Sequence, residues 1–138
     1  MAEVTTGVVL PAAGQGRRMG GAKKPFLELA GEPLLAHAIG PFLSLDEVVA
    51  VAVAVSPDDV EEARSWVEAL DPRITVVAGG ATRSDSVACG VAVLPEEVQV
   101  IAVHDAARPL LTAEVVRRCI AVAAGGEGGA QLPLPLFD

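Results

Sequence analysis

Aromatic residues are scarce in this 138-residue chain, which has three Phe, one Trp and no Tyr. A core short of large rings must be built from Ala, Val and Leu, which supply most of the 51% apolar fraction, and such a core suits helices packed on a sheet. Long apolar runs are lacking too. The longest, Val48 to Val55, falls far below the roughly 18 residues a spanning helix needs, so no membrane segment is predicted. The start, Met1-Ala2-Glu3-Val4-Thr5-Thr6, has neither the basic residues nor the apolar stretch of a secretory signal, and a cytoplasmic address is expected. Cysteine is limited to Cys89 and Cys119, without a CxxC spacing or a neighbouring His cluster, which predicts buried free thiols rather than a metal or redox pair. Positive charge is also sparse. Ten Lys and Arg against eighteen Asp and Glu give a net charge of -8, which argues against a general nucleic-acid surface. The places where basic residues do gather are therefore informative.

The length suits a single domain with one core. Val-rich runs at Gly7 to Leu10, Val48 to Val55, Ile74 to Ala78 and Val98 to Val103 predict strands. Between and after them, Leu34 to Leu43, Pro57 to Leu70, Ser84 to Leu94 and Thr112 to Ala124 carry apolar residues at helical spacing. Strands that read as near-continuous apolar runs are covered on both faces, the habit of parallel sheets, so the alternation predicts a Rossmann-like three-layer α/β/α sandwich. Ser56, ahead of Pro57-Asp58-Asp59, reads as a helix N-cap, and Thr112 opens the next helix in the same way. A Gly-rich loop at 125–129 leads into a further apolar run, Ala130 to Leu136, whose Pro133 and Pro135 suit an edge rather than a central strand.

Three segments carry the polar groups that chemistry requires. The first runs from the end of the first strand, Pro11-Ala12-Ala13-Gly14-Gln15-Gly16, through Arg17-Arg18-Met19-Gly20-Gly21-Ala22 to Lys23-Lys24. Small residues let backbone N–H groups approach an anion, while Arg and Lys add charge and bidentate donors, so this turn reads as a phosphate grip. Two commoner Gly-rich patterns do not fit. GxGxxG needs a glycine where Met19 stands, and the second strand ends in Ala54-Val55-Ser56 without an acid; GxxxxGK[ST] fails because Gly21 is followed by Ala22. The second segment, Gly79-Gly80-Ala81-Thr82-Arg83-Ser84-Asp85-Ser86, lies where the third strand gives way to a helix, a usual ligand position in open α/β sheets. Its Ser84, Asp85 or Ser86 could equally serve as a helix cap, with Arg83 simply exposed. The third, Val103-His104-Asp105-Ala106-Ala107-Arg108-Pro109, follows the fourth strand. Asp105 could hold Mg²⁺, which typically takes one or two carboxylates together with substrate phosphates, or could pair with Arg108 to close a turn. His104 reads as a packed structural residue, and so does His37.

Together the three segments resemble the 2-C-methyl-D-erythritol 4-phosphate cytidylyltransferase family. The first alone is shared with the wider sugar nucleotidyltransferase superfamily, whereas Gly79-Gly80 with Arg83-Ser84-Asp85-Ser86-Val87, and the string from His104 to Pro109, are specific to this family. The resemblance spans nearly the whole chain and implies the sugar nucleotidyltransferase type of sandwich, with 1–138 as a nucleotide-binding domain incomplete at its C-terminus. It also implies CTP as substrate with Mg²⁺ or another divalent cation. By it, Pro11, Ala12, Ala13, Gly14 and Gly16 line the CTP site, and Arg18 and Lys24 act on the triphosphate as the catalytic cations, with Lys23 a competitor for the lysine role. Gly80, Ala81 and Ser86 read the base, supported by Arg83; Asp105 and Ala106 lie by the ribose, Asp105 doubling as the metal ligand; Arg108 takes the phosphate of the second substrate, methylerythritol phosphate. The implied reaction yields 4-diphosphocytidyl-2-C-methyl-D-erythritol and pyrophosphate, in non-mevalonate isoprenoid biosynthesis. Family members continue well beyond the position of Asp138, through further substrate-site residues and the arm of a homodimer. Another nucleotidyltransferase of the superfamily, or a fragment that binds nucleotide without turnover, remains an alternative.

Overall fold

The structure is a computed structural model that describes residues 5–12, 18–19, 22–23, 28–29, 32–104, 114 and 118. In chain order its elements begin with β1 (Thr6–Pro11). Two short antiparallel hairpins follow: β2 (Arg18–Met19) with β3 (Ala22–Lys23), and β4 (Glu28–Leu29) with β5 (Glu32–Pro33). Then come α1 (Leu34–Leu43), β6 (Val48–Val55), α2 (Val60–Val67), β7 (Ile74–Ala78), α3 (Arg83–Ala92) and β8 (Val100–Val103). Strands β7, β6, β1 and β8, in that order, form one parallel sheet. The chain thus steps outward from β1 to β6 and β7, then returns to the far side of β1 with β8.

The β-branched run Val-Val-Ala-Val-Ala-Val-Ala-Val makes β6 a strand, and Val51 to Val55 are buried without alternation because both faces of the sheet are covered. On one face, Val8 and Leu10 of β1, Val51, Val53 and Val55 of β6, and Ile74 and Val76 of β7 join one cluster. Leu35, Ala38, Ile39 and Phe42 of α1 and Ala63 and Val67 of α2 pack into it from the helix side. The opposite face belongs to α3, which lies across β1, β6 and β7. The contacts there are close: a Cβ on Gly7 would stand 2.9 Å from Cδ1 of Leu94, just beyond α3, and the Leu94 side chain would have to shift. The result is the three-layer α/β/α sandwich expected of the alternation.

Among the described residues β7 is an edge strand, and α2 packs against it. Glu68 Oε2 accepts the Val76 N–H at 2.8 Å, while Arg64 donates to the Val76 carbonyl from Nη2 at 3.2 Å, so the outward polar groups at the middle of this edge are satisfied. At the opposite end of the sheet from the strand C-termini, Arg73 forms a clamp. Its Nε and Nη2 grip Asp71 at 2.9 and 3.0 Å, and it donates to the carbonyls of Leu43, Leu45 and Val48. α1 has no basic residue in its last turn, so Arg73 supplies from a distant segment the cation that a helix C-terminus favours.

Some boundaries depart from the sequence expectation. β8 begins at Val100 rather than Val98, because Val98 donates to the Pro95 carbonyl in a turn and packs its side chain above Gly7. The helix expected over 57–70 is α2 between two 3-10 turns, Pro57–Asp59 and Glu68–Leu70. Ser56 occupies the N-cap position, but its side chain makes no capping bond; its carbonyl instead accepts from Asp59 N–H at 2.8 Å. Cys89 is a free thiol only partly buried, since it stands on the flank of α3 rather than on the face toward the sheet. Cys119, the Thr112 cap, the Gly loop and the apolar run 130–136 lie outside the described residues. Within the segment expected as the fourth helix, Glu114 and Arg118 are helical and form an i,i+4 ion pair at 2.9 Å. No helix among the described residues is long and apolar enough to cross a membrane.

Candidate functional site

Each of the three chemistry-bearing segments leaves the sheet at a strand C-terminus, and each is held there by a backbone bond that prolongs the ladder. Ala12 N–H donates to the Ala54 carbonyl at 2.6 Å, Gly79 N–H to Val55 at 2.7 Å, and His104 N–H to Val9 at 3.0 Å. The strand order β7-β6-β1-β8 puts the change of winding direction between β1 and β8, and the C-terminal edge at such a switch is the usual ligand position in this architecture. With strands about 4.8 Å apart, the turn after β7 stands roughly 10 Å from the end of β1, two strands away.

Pro11 ends β1 and is buried with Ala12. Beyond them, Arg18 and Lys23 are directly opposite in the β2–β3 register, two cation-bearing positions paired across one hairpin. The sequence offers a signal for this hairpin in Gly20-Gly21 between the two strands, although strands of two residues are too short to show a period. Ala13, Gly14, Gly16 and Lys24 lie outside the described residues.

After β7 the chain turns into α3 through a reciprocal cap. Thr82 is the N-cap: its hydroxyl accepts from Asp85 N–H at 3.1 Å, and the Asp85 carboxylate accepts from Thr82 N–H at 3.3 Å. The Thr-x-x-acid spacing carries that signal in the sequence; the N-cap is Thr82 rather than Ser84, Asp85 or Ser86, the alternatives the sequence offers for a cap, with Asp85 completing the box. Ser86 is completely buried, and its Oγ accepts the Gly80 N–H at 3.1 Å. Gly80 has no room for a side chain, because a Cβ there would collide with Asp85. Ala81 and Arg83 are exposed beside this turn. Thus Gly80, Ala81, Arg83 and Ser86 are brought together, with Ser86 beneath the turn rather than on its surface.

His104 closes β8 and is 1% exposed, its ring tilted against Phe42 of α1 with centroids 5.8 Å apart. This matches the packed role expected for it and anchors the base of the loop that follows. Asp105, Ala106 and Arg108 lie outside the described residues. No cluster of three or more His, Cys, Asp or Glu suited to a metal occurs among the described residues.

A family model described as IspD, 2-C-methyl-D-erythritol 4-phosphate cytidylyltransferase, matches residues 6–138. The chain belongs to this cytidylyltransferase family. It is similar to the 2-C-methyl-D-erythritol 4-phosphate cytidylyltransferase of Symbiobacterium thermophilum, 43% identical over 88% of this chain and 51% of the relative. The enzyme of the same name from Photobacterium profundum is 41% identical over 94% of this chain and 56% of its own length. Among solved structures, the 4-diphosphocytidyl-2C-methyl-D-erythritol synthase of Anaerococcus prevotii shares the fold, with a TM-score of 0.75 at 23% identity over 88% of this chain and 51% of the other. The chain therefore spans about half the length of the cytidylyltransferases it matches.

Proposed function

We propose that this domain transfers a cytidylyl group from CTP to 2-C-methyl-D-erythritol 4-phosphate, releasing pyrophosphate, in non-mevalonate isoprenoid biosynthesis and in the cytoplasm. The observation that carries the reading is the convergence of the three family segments on the C-terminal edge of one parallel sheet, with the basic hairpin after β1. A phosphate monoester is largely dianionic at neutral pH and needs no general base to attack the α-phosphorus of CTP. The work left to the protein is orientation and charge neutralisation.

In this reading the turn at Gly80, Ala81, Arg83 and Ser86 holds the cytosine, with Ser86 fixing Gly80 so that backbone groups face the base. Pro11, Ala12, Ala13, Gly14 and Gly16 follow the nucleotide toward its phosphates. Arg18 and Lys24 stabilise charge on the triphosphate, and Lys23, opposite Arg18, competes with Lys24 for that role. Asp105 and Ala106 adjoin the ribose, and Arg108 binds the phosphate of the acceptor. A single carboxylate with substrate oxygens suits Mg²⁺, so Asp105, which directly follows the fixed backbone of His104, is the residue to hold it. When bound, the ion adds positive charge against the phosphates.

Pyrophosphate release with CTP, GTP, UTP and ATP tests the assignment. CTP is expected to be preferred, and Arg18→Ala to lower turnover roughly 10²-fold or more. Equal use of the four nucleotides would sink the cytidylyl reading. A second reading is that the domain by itself binds CTP without turning it over. Calorimetry with CTP and Mg²⁺, on the chain and on Arg18→Ala, distinguishes the two when set beside the turnover assay.

A further inference from the structure

Gly90 follows Ser86 by four residues in α3, so the two share one face of the helix, and both are buried. A Cβ on Gly90 would come within 2.6 Å of Val9 Cγ1 and 3.3 Å of Val9 Cγ2. The helix backbone is therefore seated directly on the β1 side chain. Val9 is fully buried, and its branched side chain is stiff, so it has little freedom to yield. α3 must run antiparallel to β1, since it carries the chain from the C-terminal end of β7 back to the start of the parallel strand β8. From Gly90 to Ser86 the helix climbs about 6 Å, and from Val9 to Pro11 the strand climbs about 6.6 Å in the same direction. Ser86 consequently stands level with Pro11, where the first loop leaves the sheet. Through its Oγ it holds Gly80.

We propose that Gly90 is a positioning residue of the nucleotide site: by letting α3 settle on Val9, it sets the spacing between the turn at Gly79–Ala81 and the loop that starts at Pro11. The inference rests on the CTP reading above. A methyl group at position 90 must push the helix away by on the order of 1 Å to restore normal carbon–carbon contact. The base turn, fixed to α3 by Ser86, Asp85 and Thr82, moves with it, while Pro11 and Ala12 stay with the sheet. Misplacement on that scale separates two groups that must grip one ligand at the same time.

Calorimetric titration with CTP and Mg²⁺, paired with urea unfolding of each variant, tests this. Gly90→Ala is expected to weaken CTP binding about tenfold or more in the folded protein. Gly7→Ala crowds the same helix layer at the other end of β1, against Leu94 and Val98, and is expected to lose stability while keeping CTP affinity within about twofold. Removing the opposing bulk in Val9→Ala/Gly90→Ala should restore affinity to within about threefold of the parent, a rescue that general destabilisation would not give. Should Gly90→Ala fail to fold, Val9→Ile enlarges the same contact from the strand side and is expected to weaken CTP binding likewise. Parent-like affinity in folded Gly90→Ala or in Val9→Ile overturns the proposal, as does a folded double variant without rescue. If the parent chain itself binds no CTP, the nucleotide reading falls and this inference with it; a parent that binds, with variants that bind equally, removes this inference alone.

Discussion

Asp71 and Arg73 show how much structure a single side chain can hold. The Arg73 guanidinium, hydrogen-bonded to Asp71, keeps the Asp71 carboxyl below its ordinary value, and Asp71 raises Arg73 in return. Arg73→Ala removes the two-point grip on Asp71 and the donors to Leu43, Leu45 and Val48, and is expected to cost about 2 kcal/mol in urea unfolding. Lysine should recover only part of this, having no planar fork. The pH dependence follows from the depressed carboxyl. Its stabilisation is present above the unfolded-state value near 3.8 and is lost as pH falls through the lower folded-state value, because the unfolded chain then binds the proton first. The stability advantage of the parent over Asp71→Asn should therefore be largest near neutrality and shrink through the acid range below about pH 4. A constant difference between the two proteins from pH 7 to pH 2 would contradict it. The carbonyl contacts were not legible from residue types, since they belong to α1, the turn after it and the start of β6, remote in sequence from Arg73.

At the level of elements, the strands and helices were legible and their ends less so. β6, β7 and α1 fall at the limits that apolar periodicity predicts, because a buried strand or amphipathic helix must repeat its apolar positions to be covered. The start of α3 depends instead on Thr82 and Asp85 satisfying each other's N–H groups. Thr82→Ala is expected to destabilise the domain by about 1 kcal/mol in thermal or urea unfolding, with Thr82→Ser retaining most of the stability. Gly80→Ala should behave differently. Its Cβ collides with Asp85, so the turn itself must shift, and CTP affinity should fall by a larger factor than in Thr82→Ala. Equal CTP affinities for the two variants would show that the turn does not contact the nucleotide. The β2–β3 and β4–β5 hairpins escaped the sequence reading because two-residue strands have no period, and their pairing is set by the turns between them.

For the molecule as a whole, binding and folding are linked. If the strand ends hold CTP, the ligand stabilises the native state by RT ln(1 + [CTP]/Kd), which is about 2.7 kcal/mol at a hundredfold excess over Kd. The unfolding midpoint should rise with CTP concentration, and rise less for Arg18→Ala or when magnesium is chelated by EDTA. A midpoint that CTP leaves unmoved at millimolar concentration would count against nucleotide binding by this chain. The net charge of -8 adds a second expectation. An acidic molecule whose cations gather after β1 should bind trianionic and tetraanionic ligands more weakly as salt rises, because screening acts on the phosphate grip first.

The sequence by itself determined the layered α/β/α class, most of the strands and helices, and the three polar segments, because these depend on local periodicity and on residue types adjacent along the chain. The family membership was legible from the same segments and is borne out by the match over residues 6–138. Only the tertiary structure decided that these segments meet on one edge, since that follows from the strand order β7-β6-β1-β8 and from parallel pairing across long separations. It alone decided that Ser86 lies beneath the Gly80 turn, that Arg73 closes the far end of α1, and that Gly90 rests on Val9. Each of these joins residues far apart in the chain or turns on a contact distance, and neither is written in periodicity. The basic, glycine-rich character of the first segment comes from its residues; the seat of α3 on β1 comes from a missing methyl group at Gly90.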